Sequence, residues 1–231
     1  MFMMGAERKL LPASVIAQYA KVRAEEIEGT QGYKPGRKQM REIRDEVTDE
    51  LLPRAFSIRR ATAAWVDMKN GWMVVDASGP AKADELIELL RKTDVAFAAL
   101  LPKTRISPVQ AMTSWLAGDA LPGQFTMDRD CELRSRNDQK TKVRYANHAL
   151  ESEEIVRHVG SGKEAIRLAM TWSDRISFVL DENLQVRKLS ALDILKEESE
   201  GSEQDSDFVL MSGELSRMIP DLIGALGGFE D

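Results

Sequence analysis

Five cations crowd into eleven residues, Arg134, Arg136, Lys140, Lys142 and Arg144, with Asp138 the one acid among them. In extended backbone successive side chains alternate between faces, so Lys140, Lys142 and Arg144 fall on a single face and can follow a phosphate backbone. The competing account is a solvated strand whose lysines discourage edge pairing. A second basic stretch, Arg37, Lys38, Arg41 and Arg44, lies on a helix whose apolar face is Met40, Ile43, Val47 and Leu51. Arg37, Arg41 and Arg44 sit roughly 80° from that face at about 100° per residue. Ordinary i,i+4 pairs, Lys38 with Glu42 and Arg41 with Asp45, would explain the same residues without a ligand. Lys163 and Arg167 complete the candidate DNA-contacting set.

Catalysis finds less support. Gly160, Ser161, Gly162 and Lys163 resemble part of a phosphate loop, but Arg157 stands where the first glycine belongs and Glu164 where Ser or Thr is required. Helix termination by Gly160 and Gly162 is the simpler reading. His148 and His158 have no nucleophile at suggestive spacing, and the carboxylates lie on solvated faces or in a linker, so the chain is read as a non-enzyme. With two histidines and Cys131 as the only cysteine, neither a structural zinc site nor an intrachain disulfide is expected, and no cofactor is implied.

The net charge of −6 hides an uneven distribution. Residues 193–231 hold eleven Asp or Glu against Lys196 and Arg217, a balance of −9, which leaves residues 1–192 at +3. Binding responds to the local field within a Debye length of about 8 Å, so a mildly basic body remains compatible with a polyanion. Base stacking on single strands is less favoured. Only 14 aromatic residues are present, and Trp65, Trp172 and Phe178 fall in alternating patterns that read as core. No helix presents Arg, Asn and Gln to base edges, which argues against sequence-specific readout. No apolar run approaches the roughly 20 residues of a membrane span, and the expected compartment is the reducing cytoplasm.

The elements that would carry these groups indicate an α+β fold, with antiparallel or mixed sheets, packed helices and a protruding helical hairpin. Periodicity predicts helices over 12–28 and from Arg37 to Leu51, joined by a loop containing Gly29, Gly32, Pro35 and Gly36. Strands follow over 58–67 and 72–77 around the Asn70-Gly71 turn, then a helix over 80–92, an apolar strand near 95–101 and a helix near 108–117. The second half reads as strands over 125–134, 142–149, 166–172, 176–180 and 186–189, with a short helix over 152–159 capped by Ser152. An acidic linker, 197–205, precedes the apolar run 208–211 and a last helix to Leu226 that Pro220 should kink. The domain reading is a hairpin region at 1–57, α+β units at 58–123 and 124–206, and a C-terminal segment at 207–231.

Pro53 ends the second helix abruptly and offers Phe56 at a corner. Leu51 to Phe56, then Trp65, Val66, Asp67, Asn70, Gly71, Val75 and Asp76, and finally Asp207 to Leu215 and Ala225 to Gly228, together resemble the bacterial RdgC family of recombination-associated proteins. The resemblance runs in register from about Glu7 to Gly228. Family members carry roughly seventy further residues ahead of Leu10.

The resemblance implies a double-stranded DNA-binding protein without sequence preference. Its two subunits would join as a homodimeric ring around the duplex and restrain the RecA recombinase by occupying DNA, in the nucleoid and with no membrane partner. Phe56 matches the family's motif and is expected at a subunit contact, the alternative being a core position. The shorter front of the chain keeps another reading open, a protein-interaction or dimerisation module with little DNA binding.

Overall fold

The computed structural model describes residues 1–138, 140–193 and 204–230. The chain divides into two compact units, Met1–Ala99 and Leu100–Asp231.

The first unit contains strand β1 (Phe2–Leu10), helices α1 (Ala13–Gln31) and α2 (Arg37–Leu51), a 3-10 turn over Leu52–Arg54, strands β2 (Phe56–Asp67) and β3 (Trp72–Asp76), and helix α3 (Pro80–Thr93). Its sheet is antiparallel in the order β1-β2-β3. Three turns of apolar spacing decide the hairpin. Ile43 and Val47 of α2 bury against Ala20 of α1, with Ile16, Ala24, Ile27, Met40 and Leu51 around them. Gly32 closes α1 in the left-handed region, φ 80°, and its N–H donates to the Glu28 carbonyl, which ends the helix where a side chain would be strained. Asp67 holds the β2–β3 turn by accepting from the Lys69 and Asn70 N–H groups.

Two readings change here. Residues 2–10 form a strand that periodicity does not announce, because Gly5 and Ala6 interrupt the pattern and every residue from Gly5 to Leu10 is exposed. The pairing of β1 with β2 joins the two sides of the boundary read at 57/58. Conversely, residues 95–101 are not a strand. No described strand pairs with them, Val95 and Leu100 stand 96% and 93% exposed, and the Asp94 carboxylate instead accepts from the Ala96 N–H to form a turn.

The second unit contains α4 (Pro108–Leu116), β4 (Phe125–Ser135), β5 (Lys142–Tyr145), α5 (Glu153–Gly160), β6 (Lys163–Trp172), β7 (Ile176–Asp181), β8 (Val186–Ala191) and α6 (Gln204–Ala225). Its sheet is antiparallel in the order β5-β4-β6-β7-β8. The buried face carries Cys131, Leu133, Leu168, Met170, Trp172, Phe178 and Leu180, against which α4 packs, and Met112, Trp115 and Ile155 are buried with them. The Trp172 indole N–H donates to Asp221 of α6, and Glu214 of α6, 2% exposed, meets Arg175 at 3.2 Å. Residues 208–211 belong to this helix, and Pro220 lies inside it. Of the acidic linker, 197–203 lies outside the described residues. Ser152 occupies the N-cap position of α5 but makes no capping bond, its hydroxyl being buried with no partner among the described residues. Among the described residues no helix is long and apolar enough to cross a membrane.

Candidate nucleic-acid interface

Helix α2 separates its groups as its spacing dictates. With the apolar face turned onto α1, Arg37, Arg41 and Arg44 are all exposed, and no described carboxylate pairs with any of them. Of the two i,i+4 pairs considered from sequence, only Lys38 with Glu42 forms, at 3.9 Å between well-exposed groups. Such a pair is worth about 0–1 kcal/mol and leaves the lysine able to exchange its partner. The stripe of three arginines is therefore available to a ligand.

Phe56 begins β2 directly opposite Leu10 and is 86% exposed, so it has no core role in this unit. The 3-10 turn containing Pro53 hands the chain to an extended Ala55, which fixes that presentation. Leu10 and Ile58 are exposed on the same face of the pairing, since directly opposed and alternate residues share a face.

The outer face of the second sheet is more balanced than its cation count suggests. Glu132 lies at its centre, opposite Arg144 on β5 and Arg167 on β6. Its carboxylate takes the Lys142 ammonium at 3.2 Å and the Arg167 guanidinium at 3.0 Å. Arg134 forms a two-pronged bridge to Glu182, with bonds of 3.0 and 2.5 Å, which raises its pKa further. Arg136 pairs with Glu164. Lys163 places its ammonium 3.0 Å from His158 Nδ1 and 3.3 Å from the Ser161 hydroxyl.

Lys140 lies in the β4–β5 turn rather than on the strand, because Asp138 organises that turn by accepting from the Lys140 N–H and the Thr141 hydroxyl. Those two bonds, the hydroxyl's first, hold the Asp138 carboxyl below its ordinary range. Only Lys142 and Arg144 of the three expected cations share the strand face. Gly160 ends α5 and Gly162 turns at φ 88° into β6, so Lys163 starts a strand rather than closing a phosphate loop.

Behind this face the titratable groups are sealed. Burial, then the neighbouring Asp130 charge, pushes the Cys131 thiol up to about 11. Burial, then the bond from its hydroxyl to Glu154, pushes the Tyr145 phenol up to about 12. Among the described residues no three His, Cys, Asp or Glu side chains converge so as to hold a metal ion.

Sequence reasoning passed over one basic group. Arg8 and Lys9 of β1 and Arg59 and Arg60 of β2 meet on the antiparallel ribbon formed by 5–10 and 56–61, all of it exposed. Two adjacent basic dipeptides were the available signal, but their meeting depends on a pairing that the sequence pattern does not reveal.

A family described as "Putative exonuclease, RdgC" matches residues 1–229. The chain belongs to the RdgC family. A relative in Janthinobacterium sp. (strain Marseille), named recombination-associated protein RdgC, is 53% identical over 234 residues, covering 99% of this chain and 78% of the relative. Proteins of the same name in Herminiimonas arsenicoxydans and Cupriavidus necator are 53% and 51% identical, covering 99% and 96% of this chain and 78% and 76% of their own lengths. The resemblance drawn from the Leu51 to Phe56 corner and the C-terminal blocks is thus borne out across nearly the whole RdgC-family chain. The family description mentions exonuclease activity, whereas the relatives' names mention recombination.

Proposed function

We propose that this RdgC-family chain binds double-stranded DNA without sequence preference. As a homodimer it closes around the duplex and, by occupying DNA in the nucleoid, limits access of the RecA recombinase. The observation that carries this reading is the α2 stripe, Arg37, Arg41 and Arg44, exposed and, among the described residues, without carboxylate partners. Phosphate neutralisation with counterion release supplies affinity to such a surface and needs no base contact. The exposed Phe56 supports a subunit contact, since an accessible aromatic beside Leu10 and Ile58 is the kind of anchor that buries in a partner. Two-fold pairing through such contacts closes an assembly. On this reading the protein acts by occupancy and not by cleavage.

Mass in solution with and without a duplex of generic sequence tests it. The expected result is a dimer that takes up duplexes of unrelated sequence alike, leaves them intact in the presence of magnesium, and loses affinity with salt at a slope near about −5 for about 6 phosphates. Salt-insensitive binding or strong preference for one sequence would refute the electrostatic reading, and magnesium-dependent shortening of the duplex would refute the non-catalytic one. A second reading, a protein-interaction module, is favoured by the exposure of Phe56, Val95 and Leu100. It predicts assembly without any uptake of duplex.

A further inference from the structure

The two faces of the β1–β2 ribbon differ in how their cations are engaged. On one face Arg59 pairs with Glu7 at 3.5 Å, and the Lys9 ammonium donates to the Ala55 carbonyl at 3.2 Å. On the other, Arg8 lies opposite Ile58 and Arg60 opposite Ala6, which makes the two arginines diagonal neighbours, about 7–8 Å apart between Cα atoms. Both are exposed, and among the described residues no carboxylate pairs with either. Exposed like charges at this diagonal spacing repel only weakly through screening solvent, so both stay available to an anion.

The same face runs from the buried Thr62 and Ala64 at its base, past Arg60 and Arg8, to the exposed Ile58, Leu10 and Phe56 at its end. Helix α2 enters that end through the 3-10 turn, so the exposed arginine stripe and the exposed arginine face are consecutive parts of one unit.

We propose that Arg8 and Arg60 are direct phosphate contacts and that the β1–β2 ribbon, together with α2, is the element by which this chain holds duplex DNA. Guanidinium groups match phosphate oxygens in a planar, two-pronged geometry, and a two-stranded ribbon is narrow enough to enter a major groove about 12 Å wide or to lie along its rim. Arg8 and Arg60, without a carboxylate among the described residues, supply what the outer face of the second sheet lacks, because Lys142 and Arg167 there must first leave Glu132. This inference rests on the DNA-binding reading and specifies where on the chain the charge is delivered.

The test compares the full chain with Arg8→Ala/Arg60→Ala and Arg8→Lys/Arg60→Lys on a fluorescent duplex of generic sequence, from about 50 to about 200 mM salt, with thermal unfolding as the check on fold. Losing two phosphate contacts should flatten the log–log salt slope by about 1.8, so that over this range the wild type loses about 12-fold more affinity than the alanine variant. The lysine variant keeps both charges and should keep the wild-type slope. The single changes Arg8→Ala and Arg60→Ala should each remove about half the effect, which holds the result even if the double variant folds poorly. A wild-type slope in the alanine variants overturns the ribbon assignment while leaving DNA binding intact. Equal flattening by lysine overturns its electrostatic basis. Failure of the wild type to bind any duplex overturns the DNA reading and the ribbon assignment with it.

Discussion

Glu132→Gln should strengthen DNA binding if the outer face of the second sheet lies along the duplex. The carboxylate is largely buried, with 15% of its side chain accessible, and it holds two half-exposed cations, Lys142 at 3.2 Å and Arg167 at 3.0 Å, with Arg144 directly opposite on β5. Gln keeps the shape and one acceptor oxygen but removes the charge, so Lys142 and Arg167 become available to phosphates. Two more neutralised phosphates steepen the salt slope by up to about 1.8, about a 12-fold larger change between about 50 and about 200 mM salt, with the gain in affinity greatest at low salt. The cost to the fold is limited, since Lys142 and Arg167 are half-exposed and can rehydrate when the charge is removed, and Gln retains part of their bonding. Fluorescence anisotropy across a salt series measures the slope, and thermal unfolding measures the cost. A slope identical to that of the wild type, in a folded variant and with measurable wild-type binding, would show that Lys142 and Arg167 do not face DNA and refute the use made of this surface.

Changing Lys140, Lys142 and Arg144 together to Ala should weaken binding evenly across sequences but flatten the salt slope by only about 1 to 2, because Lys140 lies in the turn and Lys142 is already engaged with Glu132. Phe56→Ala should shift the dimer toward monomer at micromolar concentration, a loss of more than about 2 kcal/mol at the contact, with the melting temperature of the subunit unchanged because the ring is exposed. Light scattering and thermal unfolding together read that result, and a lowered melting temperature with unchanged stoichiometry would contradict it. Alkali should destabilise the second unit in a defined window. Cys131 and Tyr145 have raised values in the fold, so their stabilisation is complete below their ordinary values and is lost as pH rises from about 9 to about 12. Unfolding in denaturant across that range should show falling stability, and Tyr145→Phe should flatten its upper part.

Much of this architecture is legible in single residues with a local mechanism. Met40, Ile43, Val47 and Leu51 placed the buried face of α2, Pro53 its end, and Asn70-Gly71 the β2–β3 turn, because each acts through bonds or sterics within a few residues. The failures are long-range. Val95, Leu100 and Leu101 have strand-like side chains, but a strand exists only when another chain segment offers its ladder. Phe2 to Leu10 shows the reverse case, a weak pattern made into a strand by nine residues of β2 lying opposite.

The candidate site follows the same rule, and that decides which cations merit attention. A basic dipeptide or a cluster of five cations reports charge, whereas affinity for a polyanion depends on which charges lack internal partners, a property of the folded chain. The fold gives Glu132 to Lys142 and Arg167, Glu182 to Arg134 and Glu7 to Arg59. Among the described residues it leaves Arg37, Arg41 and Arg44 on α2 and Arg8 and Arg60 on the ribbon without carboxylates. Binding a phosphate at those five costs no broken ion pair, while binding at Lys142 or Arg167 must first displace an anion already in contact. If the proposed DNA binding holds, these arginines of the first unit should contribute to affinity ahead of the denser basic cluster of the second, although the cluster is the more conspicuous in the sequence.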